Sequence, residues 1–63
     1  MIKITHDTPL KTLNNISVGD QIIDSYESQG SVVKIAKDTM FEYIEFKFIL
    51  DNKQMIYILS SLN

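Results

Sequence analysis

Two long apolar runs near the end of the chain flank a short polar segment, and this pattern constrains the fold more than any other. The runs are residues 41–50 and 55–59, and the polar segment between them contains Asp51, Asn52 and Lys53. Both runs are rich in the β-branched and aromatic residues that suit a pleated, half-buried surface. The pattern therefore predicts a β-hairpin on which the other strands pack.

The length and composition bound the kind of domain. A chain of 63 residues forms one domain and buries only about 60% of the surface that its unfolded form exposes. The sequence contains no cysteine and no arginine, and its net charge is −2. Disulfides are therefore excluded, and the bidentate phosphate contacts that arginine makes are absent. We expect a single small β domain over residues 1–63 that depends on dense apolar packing or on self-association.

The sequence also suggests a setting for the protein. Residues 1–5 do not resemble a signal peptide, and no stretch approaches the roughly 20 apolar residues of a membrane span. We therefore expect a cytoplasmic protein with no membrane partner. Ile, Lys and Asn together supply twenty residues, while Gly, Ala, Arg and Pro supply four, a bias typical of AT-rich genomes. This bias favours an accessory or inhibitor protein of a phage or other mobile element.

The remaining chain reads as short strands separated by turns. Turn residues recur every eight to fourteen positions and no helical period is sustained, which is typical of an all-β meander of about five antiparallel strands. At most one short helical turn, over residues 8–14, interrupts it, with Pro9 suited to its start. The predicted strands are residues 2–5, 21–26, 31–36, 41–50 and 55–59, with predicted turns at 17–20, 27–30 and 37–39.

Two glycine-containing segments carry a resemblance to a known fold. Gly19-Asp20-x-Ile22, followed by Gly30-x-Val32-x-x-Ile35, resembles the pattern found in small SH3-like barrels, including the KOW and Tudor-like groups. The similarity covers residues 18–36. It implies a small SH3-like barrel or rolled sheet that binds ligands on its loops or on an exposed face, and it implies no particular partner.

The register of the last hairpin decides which side chains of its final strand face the core and which lie on the opposite face. We call this opposite face, which the core does not use, the spare face. A two-residue turn places Ile56 and Ile58 behind the sheet, beside Ile49, whereas a three-residue turn places them inside and turns Met55, Tyr57 and Leu59 outwards. Either register leaves large apolar side chains on a second face. Barrel closure or the N-terminal segment, a homodimer, and an exposed site for another protein are the three explanations.

No motif for catalysis or metal binding is present in the sequence. His6 is the only histidine, and the carboxylates fall mainly at turns and on polar strand faces, without the spacing of a calcium loop or a histidine pair. We therefore expect no enzymatic activity, no cofactor and no bound metal.

The spare face is the predicted site of function. We expect a non-catalytic protein-binding module that contacts another protein or a second copy of itself in a homodimer, through Tyr26, Tyr43, Ile49, Ile56 and Ile58. The alternative is a small barrel that binds single-stranded nucleic acid, because such proteins stack bases on aromatic side chains within a basic groove. Its contact residues are then Tyr26, Lys34, Tyr43 and Lys47.

Overall fold

A computed structural model describes residues 1–62 and shows an all-β domain with one short helix. The elements are β1 (Ile2–Lys3), α1 (Leu10–Asn14), β2 (Gln21–Ile23), β3 (Gln29–Thr39), β4 (Tyr43–Leu50) and β5 (Met55–Ser61). The predicted fold class, five strands with a single helical turn, is confirmed. No helix in the described part of the chain is long and apolar enough to cross a membrane.

The five strands form one sheet in the order β1-β2-β3-β4-β5. Three of the neighbouring pairs are antiparallel, but β1 pairs with β2 in parallel, with Ile2 opposite Ile22. The prediction of a purely antiparallel sheet was therefore wrong at this edge. Parallel neighbours need a long crossover connection, and residues 4–20, which include α1, provide it.

The boundaries of all five strands differ from the predicted ones: β1 ends at Lys3, β5 continues to Ser61, and β3 begins at Gln29, inside the predicted turn 27–30. Residues 37–39, predicted as a turn, continue β3, and the chain turns instead at residues 40–42. This register places the polar Lys37 and Asp38 in ladder positions opposite Phe46 and Glu45. At the other end, β2 stops at Ile23 rather than at residue 26, and the chain enters a turn at once.

The last hairpin closes with a three-residue turn. Gln54 lies opposite Leu50, whose N–H donates to the Gln54 carbonyl at 2.9 Å, and the Lys53 N–H donates to the Leu50 carbonyl at 3.1 Å. Lys53 has φ of 68°, the left-handed conformation that ends a three-residue hairpin loop. This turn sets Phe48 opposite Ile56 and Phe46 opposite Ile58.

The core lies on the inner face of the rolled sheet. Phe46 and Phe48 stack at its centre with ring centroids 5.7 Å apart, and α1 with the loop after it covers them through Leu13 and Ile16. Lys37 closes the rim, because its Nζ donates to Asn14 Oδ1 at 2.8 Å and lies 5.7 Å from the Phe46 ring centroid. The N-terminal segment therefore covers the inner face and leaves the outer face of β4 and β5 bare.

The glycine in each of the two segments occupies a position that disfavours a residue with a Cβ. Gly19 has φ of 100°, and the Asp20 carboxylate accepts a hydrogen bond from the Ser17 N–H at 2.8 Å, in the turn predicted at residues 17–20. Gly30, the second residue of β3, lies directly beside the last hairpin turn: a Cβ there would lie 2.9 Å from Asp51 Oδ1 and 3.2 Å from Leu50 Cβ. Gly30 is therefore needed for close packing between two segments distant in sequence.

Candidate binding surface on the outer face of the sheet

Strand β5 alternates strictly between buried and exposed side chains. Ile56 and Ile58 are 1% and 3% exposed, whereas Met55, Tyr57 and Leu59 are 52%, 41% and 39% exposed. The prediction that Ile56 and Ile58 lie on the spare face was therefore wrong, because the three-residue turn shifts the register by one residue and turns both side chains into the core.

Two of the predicted contact residues do lie on the exposed side of the sheet. Tyr43 and Ile49 are on β4, where Ile49 lies opposite Met55 and Tyr43 opposite Ser61. Together with the outward residues of β5 they form an apolar strip that crosses both strands of the hairpin. We call this strip the outer face; it consists of Tyr43, Ile49, Met55, Tyr57 and Leu59.

Two charged residues of β4, Glu45 and Lys47, lie on the same side of the sheet as the outer face and are paired with each other. The Tyr57 hydroxyl donates to Glu45 Oε2 at 2.5 Å, and Lys47 Nζ lies 3.6 Å from Glu45 Oε1. The hydrogen bond to Glu45 raises the pKa of Tyr57, with smaller contributions from desolvation and from the negative charge of Glu45. Glu45 thus joins its two neighbours into a network whose charge is balanced.

The residues proposed for nucleic-acid binding do not all converge. Lys34, Tyr43 and Lys47 occupy the same side of the sheet, since Lys34 lies opposite Ile49 in the ladder between β3 and β4. Tyr26 lies apart from them, in the turn between β2 and β3. Asp38 and Glu45, which lie opposite each other, share that side with the lysines, so it presents both signs of charge.

The turn that carries Tyr26 is built by one carboxylate. Asp24 Oδ1 accepts hydrogen bonds from the Tyr26 N–H at 2.9 Å and from the Ser28 N–H at 2.8 Å. Glu27 takes a positive φ of 68° to complete the turn. The predicted strand through residue 26 was therefore wrong here, because Asp24 followed directly by Ser25 is a sequence that favours such a turn. The turn leaves Tyr26 81% exposed.

A cleft of about 220 Å³ lies where the two edges of the rolled sheet approach each other. We call it the edge cleft. One wall is Met55 and Tyr57 of β5, and the opposite wall is formed by the segment after β1 and the Asp24 turn. The side chains that line the cleft include Ile4, His6, Tyr26, Met55, Tyr57 and Ile58. Tyr26, predicted as a contact residue, therefore lies at this cleft.

Comparisons with known proteins add no family to this description. No protein-family model, no curated protein and no solved structure matches the chain. Within residues 1–62, no group of three or more His, Cys, Asp or Glu side chains is placed to hold a metal ion. The geometry of the surface is therefore what bears on the function of this chain.

Proposed function

We propose that this chain is a non-catalytic protein-binding module whose contact surface is the outer face. The observation that carries the proposal is the alternation along β5, which presents Met55, Tyr57 and Leu59 in one row on the side away from the core. Contiguous apolar patches on water-soluble domains usually mark interaction sites. Tyrosine is also enriched among the residues that dominate binding energy in interfaces.

The partner in this proposal is another protein or a second copy of the chain. The core is small, with two phenylalanines at its centre, and covering the outer face would add apolar burial that the chain alone lacks. The compositional bias supports a role as an accessory or inhibitor protein of a phage or other mobile element.

Single-stranded nucleic acid is a less favoured ligand for the same surface. Lys47 is engaged with Glu45, and the whole chain carries a net charge of −2. A binder of the phosphate backbone needs cations that are available for phosphates. Titration with a labelled oligonucleotide at low salt tests this alternative, and binding that weakens as salt rises would favour it over a protein partner.

A comparison of three baits tests the protein-binding proposal. The baits are the wild type, Leu59→Lys, which places a charge in the outer face, and Val18→Lys, which places the same charge at an exposed aliphatic residue in the turn before β2. We expect host proteins that bind the wild type and Val18→Lys and are lost with Leu59→Lys. Light scattering of the three proteins reports self-association in the same way.

Proteins that bind all three baits equally, with no change in oligomeric state, would contradict the assignment of the outer face. Circular dichroism must show that Leu59→Lys is folded. Because Leu59 is 39% exposed, its substitution is expected to leave the core intact.

A further inference from the structure

The backbone of β5 has hydrogen-bonding groups that β4 does not use. In an antiparallel ladder, only every second residue bonds to a given neighbour. The Leu50 N–H donates to the Gln54 carbonyl, so Gln54 and every second residue after it bond to β4. Ile56 and Ile58 are therefore the residues of β5 whose backbone groups pair with β4. The N–H and C=O groups of Met55, Tyr57 and Leu59 therefore point away from β4, and no backbone group within residues 1–62 bonds to them.

The exposed edge of β5 lacks the usual protection against strand pairing. Natural edge strands are commonly protected by lysine, proline, a bulge or a covering segment. Strand β5 has the sequence Met-Ile-Tyr-Ile-Leu-Ser-Ser, with no charged residue and no proline, and its ladder with β4 runs without a register shift from Met55 to Ser61. An extended segment can thus pair with it without desolvating a charged side chain of β5 itself, and Asp24 lies among the residues that line the cleft beside it.

The edge cleft adds a side-chain pocket beside this backbone. Ile4 and Ile58, both buried core residues, line it, and Tyr26 and His6 stand on the side opposite Met55 and Tyr57. An apolar side chain placed there would rest on Ile4 and Ile58. The cleft therefore combines the two elements of strand-addition sites, which are free main-chain groups for affinity and a pocket for side-chain specificity.

We infer that the edge cleft binds an extended segment of a partner protein, which adds as a strand to β5. The backbone of the segment pairs with Met55 and Tyr57, and one of its apolar side chains enters the pocket over Ile4 and Ile58. This inference rests on the proposed function only in that the ligand is a protein. It uses the edge of β5, whereas the proposed function uses the outer face.

The size of the cleft favours an extended protein segment over a drug-sized small molecule and over a second folded copy of the chain. A volume of about 220 Å³ is below the roughly 300–1,000 Å³ of pockets for drug-sized molecules, and it suits a single large side chain. A second folded copy that paired through β5 would bring its own β4 alongside. Tyr26 and His6 line the same cleft, so a second folded copy seated on this edge would also have to fit beside these side chains, whereas a single extended segment brings no further strand with it.

A selection from a phage-displayed library of random linear heptapeptides, with the full chain as target, tests the inference. Selected peptides are synthesised and titrated into labelled protein by NMR. We expect the largest amide shifts at Met55, Tyr57 and Leu59. Methylating alternate backbone nitrogens of the peptide should weaken binding by about tenfold at each position that pairs with β5, and methylating the intervening ones should not.

Two substitutions of Met55 distinguish the contribution of its backbone N–H to peptide binding from that of its side chain. Met55→Pro removes an outward N–H at the first residue of β5, where proline is tolerated, and should weaken binding by about tenfold. Met55→Ala keeps that N–H and should bind more tightly than Met55→Pro. Circular dichroism confirms that both are folded, and the methylation series stands independently if either is not.

Three results would overturn the inference. The first is the absence of any selected peptide, and the second is peptide binding that shifts Tyr43 and Ile49 without sensitivity to methylation. The third is a concentration-dependent shift of the β5 edge amides without peptide, which would assign the edge to a second copy. None of these results removes the outer face as a binding surface, which the three baits test separately.

Discussion

The Tyr57 hydroxyl reaches across from β5 to β4 and donates a hydrogen bond to Glu45 Oε2 at 2.5 Å, while Lys47 holds the other oxygen of the same carboxylate at 3.6 Å. Lys47 lies directly opposite Tyr57 in the ladder, and Glu45 lies opposite Leu59. The contact from Tyr57 to Glu45 is therefore a diagonal one, of the kind that aromatic side chains can span. It fixes the orientation of a central residue of the outer face.

Glu45→Ala should lower the pKa of the Tyr57 phenol toward its ordinary value of 10.0, because it removes the acceptor of the hydrogen bond that is the largest cause of the raised pKa. The unfolded chain loses this proton near its ordinary pKa, and the folded chain holds it to higher pH. The contribution of Tyr57 to stability is therefore complete below the unfolded pKa and is lost as the pH rises through the folded one.

Ultraviolet titration of the phenols in the wild type, Glu45→Ala and Tyr57→Phe measures this shift. Tyr57→Phe identifies which part of the curve belongs to Tyr57. Equal titration of Tyr57 in the wild type and in Glu45→Ala would show that the contact is absent in solution.

Ile58→Ala and Leu59→Ala are adjacent deletions that should differ widely in cost. Ile58 is in the core, so its truncation should lower the free energy of unfolding by about 2–5 kcal/mol. Leu59 is on the outer face of the monomer, and its truncation should cost about 0.5 kcal/mol or less. Urea denaturation measures both, and the reverse order would mean that the register is shifted by one residue.

Lys53→Gly should stabilise the last hairpin. Lys53 has φ of 68°, a conformation that costs a residue with a Cβ about 1 kcal/mol and that glycine adopts freely. Lys53→Val should be destabilising, because a β-branched residue disfavours this conformation further. Thermal unfolding of both variants should move the midpoint in opposite directions, and a lower midpoint for Lys53→Gly would argue against the three-residue turn.

Gly30→Ala should destabilise the fold by about 1–3 kcal/mol, the usual cost of overpacking. The new Cβ would approach Asp51 Oδ1 to 2.9 Å, and that carboxylate accepts a hydrogen bond from the Ser31 N–H. Asp51→Ala should relieve part of the clash, so the two substitutions together should cost less than their sum. Additive costs in a double-mutant cycle would indicate that the two segments are not in contact.

The architecture follows from sequence patterns where local rules agree. The apolar runs of β4 and β5, the glycine turn before Asp20 and the single helical turn at Pro9 each have a residue suited to the position, and all three are present. The parallel pairing of β1 was not predictable in the same way. A two-residue strand carries too little pattern to show its direction, and the long crossover of residues 4–20 allowed it.

The sequence predicted only the β4 residues of the outer face correctly, because the conformation of one turn residue determines which residues of β5 belong to it. Tyr43 and Ile49 have the same orientation whichever turn forms, whereas every residue of β5 changes face with a shift of one position. Lysine at position 53 has no strong preference for the left-handed conformation that it adopts. The backbone turn was settled by tertiary contacts, among them the hydrogen bond from Asn52 Nδ2 to the Gln29 carbonyl at 2.8 Å.

Amide hydrogen exchange along β5, followed by NMR at low protein concentration, tests most directly the claim that β5 is an edge strand with one free side. We predict alternation, with slow exchange at Ile56 and Ile58, which bond to β4, and fast exchange at Met55, Tyr57 and Leu59. Uniform protection along the strand would mean that its outer edge is already paired. Alternation with the opposite phase would contradict the register, and with it the outer face.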